Sequence, residues 1–272
     1  MKNDNGDIIN DKRDILEEIA DFTRQRVTIL KQQVSLESMI EMAKRMEMGN
    51  FSFEEALKKD GMSFICEVKK ASPSKGLIAL DFPYLDIARE YEDAGASAIS
   101  CLTEPKYFMG SDKYLQEMAS VVKIPILRKD FVVDEYMVYE AKVLGASAIL
   151  LICAILTDEE LEIYFKIANE LGLSAVFEAH DEEEVLRAAQ VGARIIGVNN
   201  RNLKTFALDL NNSIRLRGLV YQDVVFISES GIKTRADIEL LEAHHVNAVL
   251  IGETFMRASN KKEMLQKLKG LG

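Results

Sequence analysis

The sequence predicts an α/β protein, a (β/α)8 TIM barrel with an N-terminal helical extension. Three observations carry that reading. Eight apolar runs of strand length, at 64–69, 98–102, 126–129, 148–153, 174–178, 194–199, 224–228 and 248–251, alternate with helix-like stretches. A short phrase also repeats: Ala94-Gly-Ala-Ser-Ala-Ile99 returns as Leu144-Gly-Ala-Ser-Ala-Ile149, with a looser copy at Val191-Gly-Ala-Arg-Ile-Ile196. Each copy marks a helix end, a tight turn and a strand start. Repeated βα units build parallel strands with right-handed crossovers, and eight of them in about 200 residues suit a closed barrel better than an open sheet. Finally, no G-x-G-x-x-G follows any strand, which removes the main support for a dinucleotide fold.

The elements follow in order. Residues 1–60 form the helical extension, expected over the barrel mouth. There Ile15, Leu16, Ile19, Ala20, Phe22, Val27 and Leu30 recur at helical spacing, and Ser35 with Ser38 gives a capping signal for a second helix. No strand signal precedes Phe64, so residues 61–272 are the barrel, and the whole is one domain. Barrel helices are expected at 84–94, 112–121, 135–144, 158–171, 182–190, 211–217, 235–244 and 261–269. Gly95, Gly145, Gly172 and Gly192 stand where helix C-caps favour glycine. The apolar run 146–156 is far short of the ~20 residues a membrane span needs, so it reads as a buried strand running into its loop.

Composition narrows the function. The chain has 272 residues, 48% hydrophobic, with four prolines and a formal net charge of -10. A sizeable core is available and disorder is disfavoured. The acidic balance argues against nucleic acid and anionic membrane as partners, while local lysines and backbone amides can still hold a small anion. Cys66, Cys101 and Cys153 lie in apolar runs without a C-x-x-C pair and read as buried small hydrophobes. The polar N-terminus is no signal peptide, so the cytoplasm is the expected location.

In such a barrel the chemistry gathers at the C-terminal ends of the strands. Glu67 and Lys69 sit two apart, so both side chains share one strand face, and an inward charge is costly without a reason. The other strand ends supply Lys129, Glu178, Asn199, Arg201 and Glu229. Taken singly, Lys129 could merely neutralise Asp130 or a neighbouring glutamate. Taken together, so many charges at one end of one barrel point to an active site. His180 reads as a loop residue rather than a ligand, His244 and His245 as surface residues, and no metal constellation is present. Ser230, Gly231 and Gly252 follow the last two strands, where barrels often bind phosphate.

These segments resemble indole-3-glycerol phosphate synthase. The strings are Glu67-Val-Lys-Lys-Ala-Ser-Pro-Ser-Lys-Gly76, Leu102-Thr-Glu-Pro-Lys-Tyr-Phe108, Pro125-Ile-Leu-Arg-Lys-Asp-Phe131, Ile196-Gly-Val-Asn-Asn-Arg-Asn-Leu203, Ser228-Glu-Ser-Gly-Ile232 and Leu250-Ile-Gly-Glu253. The resemblance implies ring closure, decarboxylation and dehydration of 1-(2-carboxyphenylamino)-1-deoxyribulose 5-phosphate, with no metal or organic cofactor. It implies Lys129 as the acid at the ketone. Lys69 and Glu178 share the later acid and base duties in an order left open. Glu67 and Glu229 hold the lysines, and Asn199 lies near the reacting centre. It further implies Arg201 for the substrate carboxylate and Pro73, Phe108, Phe131 and Leu203 around the aromatic ring. Ser72, Ser230, Gly231 and Gly252, with Lys69, take the phosphate side. Two positions depart from the family pattern: Asn200, where many relatives carry serine or threonine, and Glu253, often a serine. The expected partner is the small phosphorylated substrate alone, and a monomer is favoured. The alternatives are a phosphoribosylanthranilate isomerase-like barrel and a non-catalytic barrel that binds a phosphorylated ligand.

Overall fold

The computed structural model describes residues 15–202 and 205–271; Leu203 lies outside the described residues. Eight strands form the barrel: β1 (Ser63–Val68), β2 (Ala98–Leu102), β3 (Ile126–Lys129), β4 (Ala148–Ile152), β5 (Ser174–Ala179), β6 (Ile195–Asn199), β7 (Val225–Glu229) and β8 (Ala248–Ile251). Each pairs in parallel with its neighbours in chain order, and β8 pairs back onto β1 to close the ring. The strands are buried almost throughout, as near-continuous apolar runs between a packed interior and outer helices require.

Among the described residues, three helices precede the barrel: α1 (Ile15–Gln33), α2 (Leu36–Arg45) and α3 (Ser52–Leu57). The outer layer is α4 (Tyr84–Asp93), α5 (Asp112–Val121), α6 (Glu135–Val143), α7 (Asp158–Glu170), α8 (Glu182–Gln190), α9 (Asn211–Arg217), α10 (Arg235–Ala243), the short α11 (Glu253–Arg257) and α12 (Lys261–Lys269). Side-chain caps start many of these helices, with full capping boxes at Thr157–Glu160 and Thr234–Asp237. In the repeated phrases, Gly95 and Gly145 turn the chain with φ of 84° and 86°, a conformation that disfavours any side chain.

Two boundaries differ from the sequence reading for a visible reason. Cys153, expected to end the fourth strand, falls in a 3-10 turn, Cys153–Ile155. Arg187 on α8 donates to the carbonyls of Cys153 at 2.9 Å and Leu156 at 2.7 Å, drawing this backbone away from the sheet. Lys69 lies just past β1, and the chain then forms a small hairpin pairing Ala71–Ser72 with Gly76–Leu77. All three cysteines are free and buried.

The N-terminal helices occupy different places. Ile15, Leu16 and Ile19 of α1 line the cavity at the barrel mouth, and α2 packs on α6. α3 sits at the opposite end of the barrel. There Glu54 donates its N–H to Ser174 Oγ at 3.1 Å and accepts from Arg194 Nε at 2.7 Å. The loop before α3 lies so close to the turn before β5 that a Cβ on Gly49 would come within 2.8 Å of the Gly172 carbonyl carbon.

The alternation of β3 sorts its charged end. Lys129 points inward, and Arg128 points outward into full burial among Thr103 Oγ1, the Met137 carbonyl, Asp112 and Glu140. Asp130, fully buried, accepts from Arg26 of α1 at 2.8 Å and from Thr103 at 2.7 Å. Burial alone would raise the Asp130 carboxyl, but Arg26 and Arg128 hold it below the usual range. Arg26→Met would leave this carboxylate short of its main ionic partner. The expected loss is about 3 kcal/mol in urea unfolding at neutral pH; a loss within error of zero would show that Arg128 and Thr103 suffice.

Candidate active site

Glu67, Lys129, Glu178 and Glu229 come from β1, β3, β5 and β7, every other strand of the barrel. Alternate strands supply the members of one interior layer in such barrels, so these four side chains form its uppermost ring. The register brings them together: Glu178 lies beside Gly197, and Asn199 beside Glu229. Lys129 Nζ is bonded to Glu178 and lies 3.0 Å from Glu229 Oε2, and Lys69 is paired with Glu67. Asn199 Nδ2 donates to Glu178 Oε1 at 3.3 Å.

Two glycines make room for this ring. A Cβ on Gly197 would run into Glu229 Oε1; one on Gly252 would run into Glu67 and stand 2.9 Å from Lys69 Nζ. Gly252 was expected here for its backbone. Gly197, missed in the sequence, is needed because the adjacent strand must give its interior volume to a carboxylate.

The ring's electrostatics follow from burial and contact. Burial opposes the charge on Lys129, but Glu178, Glu229 and Glu67 outweigh it and raise the ammonium above its ordinary value. Burial also opposes the charge on Glu178, yet Lys129, His180 and Asn199 hold its carboxyl below the usual range. Glu229 goes the other way. Burial pushes it up to about 7, against the pull of Lys129 and with repulsion from Glu178. Its Oε1, facing Gly197, is buried without a hydrogen-bond partner.

Around the ring lies a cavity of about 420 Å³. Besides the ring and Asn199, it is lined by Ser72, Pro73, Phe108, Phe131 and Arg201, and by Ser230, Gly231 and Gly252. The predicted site residues among the described residues therefore share one space. Phe108 and Phe131 stand with ring centroids 6.3 Å apart. The cavity also uses residues not anticipated as lining: Leu102, Leu150 and Leu250 from the strands, and Phe206 and Leu208 from the loop after β6. His180 follows β5, outside the cavity wall. Among the described residues, no cluster of three or more His, Cys, Asp or Glu could hold a metal ion.

The two departures acquire physical form. Asn200 is buried: its amide donates to Ser228 Oγ at 2.9 Å and to the Ser230 carbonyl at 3.0 Å, and its Oδ1 accepts from the Ser213 N–H and hydroxyl. It thus pins Ser230, whose φ of 70° is uncommon for a residue with a side chain. Glu253 lines the cavity but is held by Arg257 at 3.1 Å and Lys75 at 3.6 Å. Burial would raise its carboxyl, and these cations, Arg257 first, lower it.

The family model for indole-3-glycerol phosphate synthase matches residues 16–268. The chain belongs to the indole-3-glycerol phosphate synthase family. An indole-3-glycerol phosphate synthase from Ruminiclostridium cellulolyticum is 54% identical over 257 residues, covering 94% of this chain and 99% of that one. One from Endomicrobium trichonymphae is also 54% identical, over 256 residues with the same coverage. Among solved structures, a 3-hexulose-6-phosphate synthase matches with a TM-score of 0.63 at 15% identity, over 77% of this chain and 99% of that one, a likeness of fold alone.

Two measurements check this reading of the indole-3-glycerol phosphate synthase family site. Because the folded Glu229 carboxyl sits near 7, above its ordinary 4.5, the folded chain holds a proton that the unfolded chain releases. That contribution to stability is present below pH ~4.5 and is lost as pH rises through ~7. Glu229→Gln removes the titration, so its stability should fall less steeply between pH 5 and 7, by up to about 1.4 kcal/mol per pH unit. Parallel curves for the two proteins would contradict the assignment. Asn200→Ala strands the Ser213 N–H and the Ser230 carbonyl and is expected to cost about 2 kcal/mol in chemical unfolding; an unchanged midpoint would mean that water replaces the amide.

Proposed function

We propose that this chain converts 1-(2-carboxyphenylamino)-1-deoxyribulose 5-phosphate to indole-3-glycerol phosphate, a step of tryptophan biosynthesis, as a carbon–carbon lyase. The observation that carries the proposal is the single ammonium of Lys129 fixed between Glu178 and Glu229 at the floor of a cavity with aromatic walls. Ring closure needs an arene carbon to attack a ketone, which places negative charge on the ketone oxygen. An ammonium aimed from a dry site both stabilises that charge and supplies the proton, since an alkoxide is far more basic than an amine.

The rest of the cavity divides by chemistry. Pro73, Phe108 and Phe131 take the aromatic ring, and Arg201 its carboxylate until carbon dioxide leaves. Leu203, from the resemblance, would join that wall. Lys69, Ser72, Ser230, Gly231 and Gly252 take the phosphate, with Asn200 setting the Ser230 turn. Glu67 steadies Lys69. In the last stage a hydroxyl must leave as water and a proton must be removed. Glu178, held ionised, suits the base; Lys69 then serves as the acid, and Asn199 orients Glu178. α1, through Ile15, Leu16 and Ile19, limits water at the mouth. In this reading residues 15–60 belong with the barrel as one domain (residues 1–14 lie outside the described residues), every assigned group comes from one copy, and the chain works as a monomer. Three buried free thiols suit the cytoplasm. Among the described residues, no helix is long and apolar enough to cross a membrane.

Mixing the purified chain with the carboxyphenylamino substrate should develop indole fluorescence. Lys129→Ala should retain the fold by circular dichroism and lower turnover on the order of 100–1000-fold. Near-normal turnover in that variant would refute the role of Lys129. Tight binding of the phosphate ester without turnover in the unaltered chain would favour a binding barrel instead.

A further inference from the structure

His180 stands outside the cavity yet is tied on several sides. Its Nδ1 lies 3.0 Å from Glu184 Oε2, and the same oxygen accepts the His180 backbone N–H at 2.8 Å. Asn212 of α9 donates to the His180 carbonyl at 3.0 Å. Glu184 is itself fixed in the first turn of α8, where Asp181 Oδ1 accepts its N–H at 3.0 Å. These bonds aim the other ring nitrogen inward. Nε2 is buried without a hydrogen-bond partner, 3.5 Å from Glu178 Oε1.

A carboxylate at Glu184 can only accept, so Nδ1 carries a proton. Nε2 then either turns a lone pair toward the Glu178 carboxylate, which is repulsive, or carries a second proton, which is attractive. The groups facing the ring favour the second state: Glu178 from β5, Glu184 from α8 and Glu229 from β7, with Lys129 of β3 lying beyond Glu178. Arg187, further along α8, spends its guanidinium on Asp158 and the Cys153 and Leu156 carbonyls. Burial alone would lower the imidazolium, but Glu184 and Glu178 raise it above the usual histidine range.

We propose that His180 is a positioning residue for Glu178: an imidazolium clamped between Glu184 and Glu178 that fixes the direction of the Glu178 carboxylate and keeps it charged. The inference rests on the reading of Glu178 as the base. It gives the chain a histidine whose charge, rather than its contact with substrate, sets the pH range of that base. Lys129 holds Oε2, Asn199 approaches Oε1 from the cavity side, and His180 approaches Oε1 from behind. Without His180, Oε1 keeps only the neutral amide of Asn199, and protonation becomes easier.

The test combines histidine NMR titration with pH–rate profiles on the full chain. In the unaltered protein His180 should titrate above the usual ~6.5, and its midpoint should fall by about half a pH unit or more in Glu178→Gln and in Glu184→Gln. In His180→Asn the acidic limb of kcat/KM should move upward by roughly one pH unit, so that kcat falls about tenfold at a pH well below the limb's midpoint and stays nearly unchanged at neutral pH, with KM little changed. Glu184→Gln should shift the limb the same way by less, and adding it to His180→Asn should change nothing further. An unmoved limb in a folded His180→Asn, or a His180 midpoint indifferent to both glutamines, would overturn the proposal. If Glu178→Gln keeps full turnover, the base reading fails. The NMR midpoint then still decides whether His180 and Glu178 are coupled, and it needs no folded His180 variant.

Discussion

The structure is organised around one buried ammonium. Lys129 sits buried among largely apolar strands, where an isolated charge is far less stable than in water. It stays charged because Glu178 and Glu229 bond it directly. That choice burdens the carboxylates in turn, since three glutamates around one lysine exceed its charge. The surplus is settled in two ways: Lys69 takes Glu67, and Glu229 is displaced toward its neutral form. A preorganised positive centre results, with little left to rearrange when negative charge develops beside it.

The backbone serves the same constraint. A ring member on every second strand is a consequence of barrel closure, and the strands between must yield space. β6 does so with Gly197, and the residue after β8 is Gly252. On β3, the alternation that sends Lys129 inward sends Arg128 outward, where it needs Asp112, Glu140 and Thr103 to be tolerated. Fixing that one strand end therefore draws on α5, α6 and, through Asp130, α1.

Much of this was legible in the sequence, and what was not has physical causes. The strand positions followed from apolar runs bounded by turns, and the charged strand ends stood out because charge inside such runs is costly. Which apolar residues face the cavity was hidden. Strands buried on both faces show no alternation, so Leu150 and Leu250 look like their neighbours. Gly197 was hidden for the same reason. The two-residue strands of the hairpin after β1 are too short to carry a period. The importance of Asn200 is not visible in the sequence: it looks like a loop amide between two functional residues, and only the approach of Ser213 and Ser228 from other segments gives it partners. For His180 a signal existed, a glutamate four residues on at the start of a helix. Its relation to Glu178 needed the strand's end in three dimensions.

The clasp of α1 and α3 on opposite ends of the barrel bears on how the chain is made. Arg26 meets its partner Asp130 across 104 positions, and Glu54 meets Ser174 and Arg194 across 120 and 140. During N-to-C synthesis the first helices leave the ribosome long before either anchor exists. They must wait, with the apolar faces of α1 and α3 short of their barrel partners, until 104 to 140 further residues have followed. Contacts of that sequence separation are slow to form and leave nascent chains prone to association. Helices made well before their anchors are thus among the last to find their place.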